Sequence, residues 1–172
     1  MPPKLPIIEW TTSDAPLVPH RPHEYSQVPN PDTNGDVDWM EALEPGHKTH
    51  DMWCNKIGEY IASEHLGEKR SFEYCMDGLP EGYALFRHHK TSPELKQKRG
   101  DVYLYGVDHK FRFRSPDEFY LHALWLMRGA RKRDECGCKW HIGGGSQIDI
   151  NRRNRLPGRK RHSEKNRRKS AP

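Results

Sequence analysis

DHKFRFRSPDEF, Asp108–Phe119, is the stretch whose reading decides the fold. Phe111 and Phe113 alternate with Arg112 and Arg114, the period of two that marks a strand with one buried face. Ser115-Pro116-Asp117-Glu118 follows at once. It reads as a helix start, with serine at the N-cap, proline at the first helical position and glutamate at the third. Such a cap contributes ~1 kcal/mol, and it accounts for Ser115 and Glu118 without any function. The cap also holds Arg114, the last strand residue, against the helix start. The helix is predicted to run from Pro116 to Met127 and to end at Gly129.

Two more strands precede this one. GYALFRHH follows the turn cluster Asp77–Gly82, and DVYLYG spans Asp101–Gly106. Between them lies the loop Lys90–Gly100. In DVYLYG, Val102 and Leu104 share one face, with Asp101, Tyr103 and Tyr105 opposite. The apolar face joins Phe111 and Phe113 over the helix bearing Phe119, Ala123 and Leu126. Tyr103, Tyr105, Arg112 and Arg114 are then expected on an open, solvated sheet face, the usual second face of an antiparallel sheet. An earlier helix is expected over Thr49–Gly67, because Trp53, Ile57, Tyr60 and Ile61 recur at helical spacing.

The whole chain has 172 residues and only 33% hydrophobic residues, enough for one domain with tails. Nine of its 14 prolines fall within residues 1–45, where eight acids face Lys4 and Arg21. That segment, 1–45, reads as acidic, Pro-rich and mostly irregular. Residues 151–172 carry ten Lys/Arg and one Glu. With the glycines of 143–145 they read as a linker and a disordered basic tail over 143–172, suited to phosphates or to nuclear import through GRKRH and KNRRK. The domain itself is placed at 46–142. No apolar run approaches the ~20 residues of a membrane span, and the start lacks the pattern of a signal peptide. An intracellular, nuclear protein is expected, with four cysteines as thiols or metal ligands rather than disulfides.

Gly82–Arg114 holds eight Lys/Arg against three acids, a basic patch in an otherwise acidic body. On a DNA reading, Arg87, Lys90, Lys96, Lys98 and Arg99 neutralise phosphates. Arg112 and Arg114, with Tyr103, reach base edges, since arginine is best shaped for guanine O6 and N7. A solvated basic hairpin accounts for the same composition.

LPEGY, then Asp-Val-Tyr, then Phe-Arg-Ser-x-x-Glu resembles the methyl-CpG-binding domain over about Leu79–Leu126. The resemblance implies that Arg114 is the second guanine-gripping arginine, steadied by Glu118. It implies Tyr103 as the methyl-sensing tyrosine and Asp101 as the acid that steadies the first arginine. That first arginine is replaced by Leu85, and Arg87 stands two residues further on. A wider pattern includes the WCNKIGEYIA helix, LPEGY, DVYLYG, FRSPDEFYLHALWLM and a C-x-C-K cluster. Over Trp53 to about His141 it is similar to the N-terminal module of the fungal cryptic-loci-regulator silencing proteins. This resemblance implies a divergent methyl-CpG-binding-like fold and a chromatin-remodelling, histone-deacetylating repressor complex as partner.

CGCKWH, Cys136–His141, offers two thiols and an imidazole within six residues. Cys136, Cys138 and His141 are three of the four ligands that one structural zinc needs. Cys75, Cys54 or His122 can complete the set, and the spacing does not choose among them. A pair of exposed thiols before a Gly-rich linker explains the same letters without a metal, and His122 alone reads as a satisfied, partly buried histidine. No nucleophile with its base and no phosphate-binding loop is apparent, so a non-enzyme is expected.

The expected fold is α+β: a small antiparallel sheet of three or four strands packed on a C-terminal helix, with an extra N-terminal helix and disordered tails. The expected function is DNA or chromatin binding in transcriptional silencing. The alternative is a docking subunit of a repressor complex that touches DNA only through its tail.

Overall fold

A computed structural model of the chain describes residues 6–16, 22, 26, 28–93, 99–107, 111–154 and 156. The elements are β1 (Ile7–Ile8), β2 (Val37–Ala42), α1 (Lys48–Ile61), β3 (Cys75–Met76), β4 (Ala84–Thr91), β5 (Arg99–Tyr105), β6 (Arg112–Phe113), α2 (Pro116–Met127) and α3 (Gln147–Arg153). Lys96, Lys98, the turn at 108–110 and the import-like runs of the tail lie outside the described residues, as does the side chain of Arg99.

The main sheet is antiparallel, in the order β2-β4-β5-β6. Its register pairs Leu85 with Leu104 and Leu104 with Phe113. These three side chains form the buried face under α2, where the Phe113 and Phe119 rings meet edge to face at 4.9 Å. The expected α+β fold and the limits of α2 are found, and Val102, Leu104 and Phe113 take the core face, whereas Phe111 is only half-buried and meets Trp140 at 5.4 Å. Ser115 caps α2 by accepting the Glu118 amide, and the Glu118 carboxylate reaches back to the Arg114 amide at 2.9 Å. The capping pair is therefore present, with the glutamate acting one residue upstream of the cap.

α1 runs as expected and buries Trp53, Ile57, Tyr60 and Ile61. It continues as one wider turn, Ala62–Leu66, and stops at Gly67, whose φ of 72° suits glycine. Its N-cap is His47, whose Nδ1 accepts the Thr49 amide at 3.0 Å. Tyr60 stacks on Tyr120 at 4.4 Å and joins the two helices.

Two strands lie within residues 1–45, Ile7–Ile8 and Val37–Ala42. β2 completes the main sheet beside β4, and β1 pairs in parallel with β3. In VDWMEA the apolar Val37, Trp39 and Met40 fall on both faces, so the alternation that announces a strand is missing. Trp10 donates to the Gly78 carbonyl at 2.9 Å and Ser13 to the Glu81 carbonyl at 2.6 Å. Gly82, at φ 77°, passes so close to the Pro16 carbonyl that any Cβ there would collide with it. The folded body thus reaches back to residue 6. At the other end α3 buries Ile150, and Leu156 packs on the core, so the expected disordered tail is helical over 147–153.

Candidate metal centre and basic sheet face

The second face of the sheet departs most from expectation. Alternation holds: Tyr103, Tyr105 and Arg112 do lie opposite Leu104 and Phe113, since Tyr105 pairs with Arg112. The face is not open. Tyr103 is 8% exposed and Tyr105 2%, and with Met40 and Phe86 they form a second apolar cluster. Met40 of β2, a strand the sequence did not announce, joins this face fully buried. Phe86 meets Tyr105 edge-on at 5.7 Å, and Tyr103 meets Tyr105 at 6.4 Å. The Arg112 guanidinium lies 4.8 Å from the centre of the Tyr103 ring, a cation–π contact of ~0.5–1 kcal/mol. Tyr103 is therefore capped rather than presented to solvent.

The basic strand β4 is neutralised by its neighbour. Arg87 donates to Thr49 Oγ1 at 3.0 Å and pairs with Glu41 at 3.4 Å. His88 meets Asp38 at 2.6 Å, and His89 meets Glu41 at 2.7 Å. The His89 hydrogen bond, acting against burial and helped by the charges of His89 and Arg87, holds the Glu41 carboxyl below its usual range. Asp101 pairs in register with His88, while Arg87 pairs with Val102 and shares the Leu85 face. Asp101 and Arg87 thus point to opposite sides of the sheet, and Asp101 cannot steady Arg87. Lys90 and Arg114 are exposed. Glu118 is engaged by the Arg114 backbone and by Lys139 Nζ at 2.7 Å.

Below α2 the chain builds a different kind of site. The segment after Gly129 folds back under the helix, fastened by Trp125 Nε1 to the Lys132 carbonyl and by Lys139 to Glu118. That turn places Cys136 and Cys138, each 1% exposed, against His122, also 1% exposed. The thiols are not exposed, contrary to the metal-free reading. His122 Nδ1 lies 3.6 Å from Cys136 Sγ and 3.7 Å from Cys138 Sγ. Donor atoms of His122, Cys136, Cys138 and His141 all lie within 4.8 Å of one another. Neither Cys54 nor Cys75 belongs to this group; the structure selects His122.

The donor set fits a metal. A tetrahedral zinc with bonds of ~2.3 Å to sulfur and ~2.0–2.1 Å to nitrogen holds a sulfur and a nitrogen ~3.6 Å apart, close to the two distances from His122. His141 Nδ1 is buried with no hydrogen-bond partner among the described residues, and such an orphan costs ~1–3 kcal/mol unless something satisfies it. The Cys136 hydrogen bond, against burial and with help from His122, pushes Cys138 toward thiolate, the form that ligates. His122 Nε2 turns the other way, to Tyr83 Oη at 2.7 Å and Asp14 Oδ1 at 3.3 Å. Sequence reasoning missed Asp14 and Tyr83 altogether: Asp14 stands 108 residues from His122, and no local pattern links them.

Residues 74–140 match the model of the family described as transcription-silencing protein, cryptic loci regulator Clr2. That stretch forms a Clr2-like module. A solved structure, "Structure of Clr2 bound to the Clr1 C-terminus", is similar over 86% of this chain, with a TM-score of 0.59 and 19% identity. At that identity the likeness is one of fold, and the chain spans 33% of the Clr2 chain it matches. None of the curated proteins matches significantly. The matched stretch contains His122, Cys136 and Cys138 and ends one residue before His141. Among the described residues, no helix is long and apolar enough to cross a membrane.

Proposed function

We propose that this chain is a non-catalytic, nuclear docking module of a transcription-silencing assembly, braced by one structural zinc on His122, Cys136, Cys138 and His141. The observation that carries the docking role is the packed second face: Tyr103 and Tyr105 are buried there, and Arg112 caps Tyr103. A duplex-reading face needs its arginines and tyrosine turned to solvent. Pairing of Arg87, His88 and His89 with the acids of β2 further weakens a phosphate-binding role for that strand. The Clr2-like match supports silencing, and the Clr1-bound neighbour supports a polypeptide partner. Zinc would act there as a closed brace, with four protein ligands and no open position for chemistry.

A second reading keeps DNA as a sequence-blind partner. Exposed Lys90 and Arg114, and the basic loop and tail residues Lys96, Lys98 and Arg99 among them, would contact phosphates only. The docking role is tested by calorimetric titration of the full chain with a labelled Clr1 C-terminal segment. Saturable binding that changes little with salt is expected. Absence of binding, together with tight duplex binding, sinks the docking role and favours the second reading.

A further inference from the structure

We propose that the metal centre fastens the N-terminal segment to the domain through Asp14, a positioning residue for His122. This rests on the zinc reading above. Asp14 belongs to a stretch, residues 6–16, that the sequence presents as Pro-rich and irregular and that lies outside the family match. Strand β1 and buried Ile8 anchor its first residues, and Trp10 and Ala15 pack on the core. Its side-chain hydrogen bonds run from Trp10 to Gly78, from Ser13 to Glu81, and between Asp14 and both Tyr83 at 2.7 Å and His122 at 3.3 Å.

The proton inventory links this contact to the metal. His122 Nδ1 faces both sulfurs. An imidazole that gives its Nδ1 lone pair to an ion carries its proton on Nε2. That N–H then donates to the Tyr83 oxygen and toward Asp14, and the Tyr83 hydroxyl is left to donate to Asp14. Every proton in the chain finds an acceptor, and the Asp14 carboxylate gathers both donors. Without an ion, Nδ1–H can donate to a cysteine sulfur instead. In that neutral tautomer Nε2 becomes an acceptor, and the Tyr83 hydroxyl must choose between His122 and Asp14. Metal loading thus selects the tautomer that binds the N-terminal segment. Conversely, a carboxylate behind a ligating histidine fixes the ring and raises its basicity, and removing such a partner weakens metal binding about 10- to 100-fold.

The test uses the full chain. Zinc affinity is measured by competition with a chromophoric chelator, and amide exchange of residues 6–16 is followed before and after zinc is stripped. Asp14→Ala should weaken zinc about 10- to 100-fold while the visible spectrum of the cobalt-substituted protein keeps its tetrahedral form. Stripping zinc from the unaltered chain should speed exchange over 6–16. Unchanged zinc affinity in Asp14→Ala, or unchanged exchange on stripping, overturns the latch while the zinc reading stands. An unaltered chain that holds no zinc overturns both. Should Asp14→Ala misfold, the stripping measurement on the unaltered chain decides alone.

Discussion

The loop beneath α2 and the hairpin β4–β5 both gather histidines and charge, and they dispose of them differently. Beneath α2, two imidazoles meet two thiols where His122 and both cysteines are 1% exposed. On the hairpin, His88, His89 and Arg87 meet the carboxylates of β2 at a partly solvated edge. Depth decides the consequence. A buried polar group without a partner is costly, and in the cluster under α2 His141 Nδ1 is such a group. Pairs near water need only each other, and they contribute little. One region is thus a buried donor cluster that could hold a metal ion, and the other is a strand edge whose bases meet acids.

The largest expected effect sharpens the first half of this comparison. Cys138→Ser removes a zinc ligand and should lower stability on the order of 4 kcal/mol, roughly 10 °C in the thermal midpoint. A variant that keeps its zinc and melts within ~2 °C of the unaltered chain breaks the claim that this cluster braces the fold.

At the hairpin the expected effect is small and depends on pH. Glu41 has a depressed folded pKa, so its contribution is present above its ordinary value of 4.5 and is lost as pH falls through the lower folded value. Glu41→Gln should cost no more than ~1 kcal/mol at neutral pH. Its stability should converge with that of the unaltered chain in acid, as read by urea unfolding across a pH series. A difference that persists unchanged at the lowest pH contradicts the ion-pair account of this edge.

Much of the fold was legible because its signals are local. Phe111–Glu118 announced a strand, a cap and a helix in eight residues, and Trp53, Ile57, Tyr60 and Ile61 announced α1. The rest depends on contacts distant in sequence. β2 carries apolar side chains on both faces, so no period of two survives in VDWMEA. Its Met40 joins Tyr103 and Tyr105 in a buried cluster on the face that alternation alone had left open. Three of the four candidate ligands were visible in CGCKWH. His122 was named only as one option for the fourth, because a histidine inside an apolar helix looks like core until the loop that returns beneath it is seen. Trp10, Asp14 and Tyr83 bridge separations of 68 to 108 residues, which no motif spans.

Tyr103 and Tyr105 are packed away on the sheet face, and on the proposed function that face reads no bases. The most direct measurement is a fluorescence-anisotropy titration of the full chain against a methylated CpG duplex and its unmethylated twin over a salt series, repeated with Arg112→Ala. Equal affinities for both duplexes, a steep loss with salt, and no change in Arg112→Ala are expected. A preference of about tenfold for the methylated duplex that Arg112→Ala abolishes, within the ~1–3 kcal/mol of one bidentate guanine contact, would contradict that expectation.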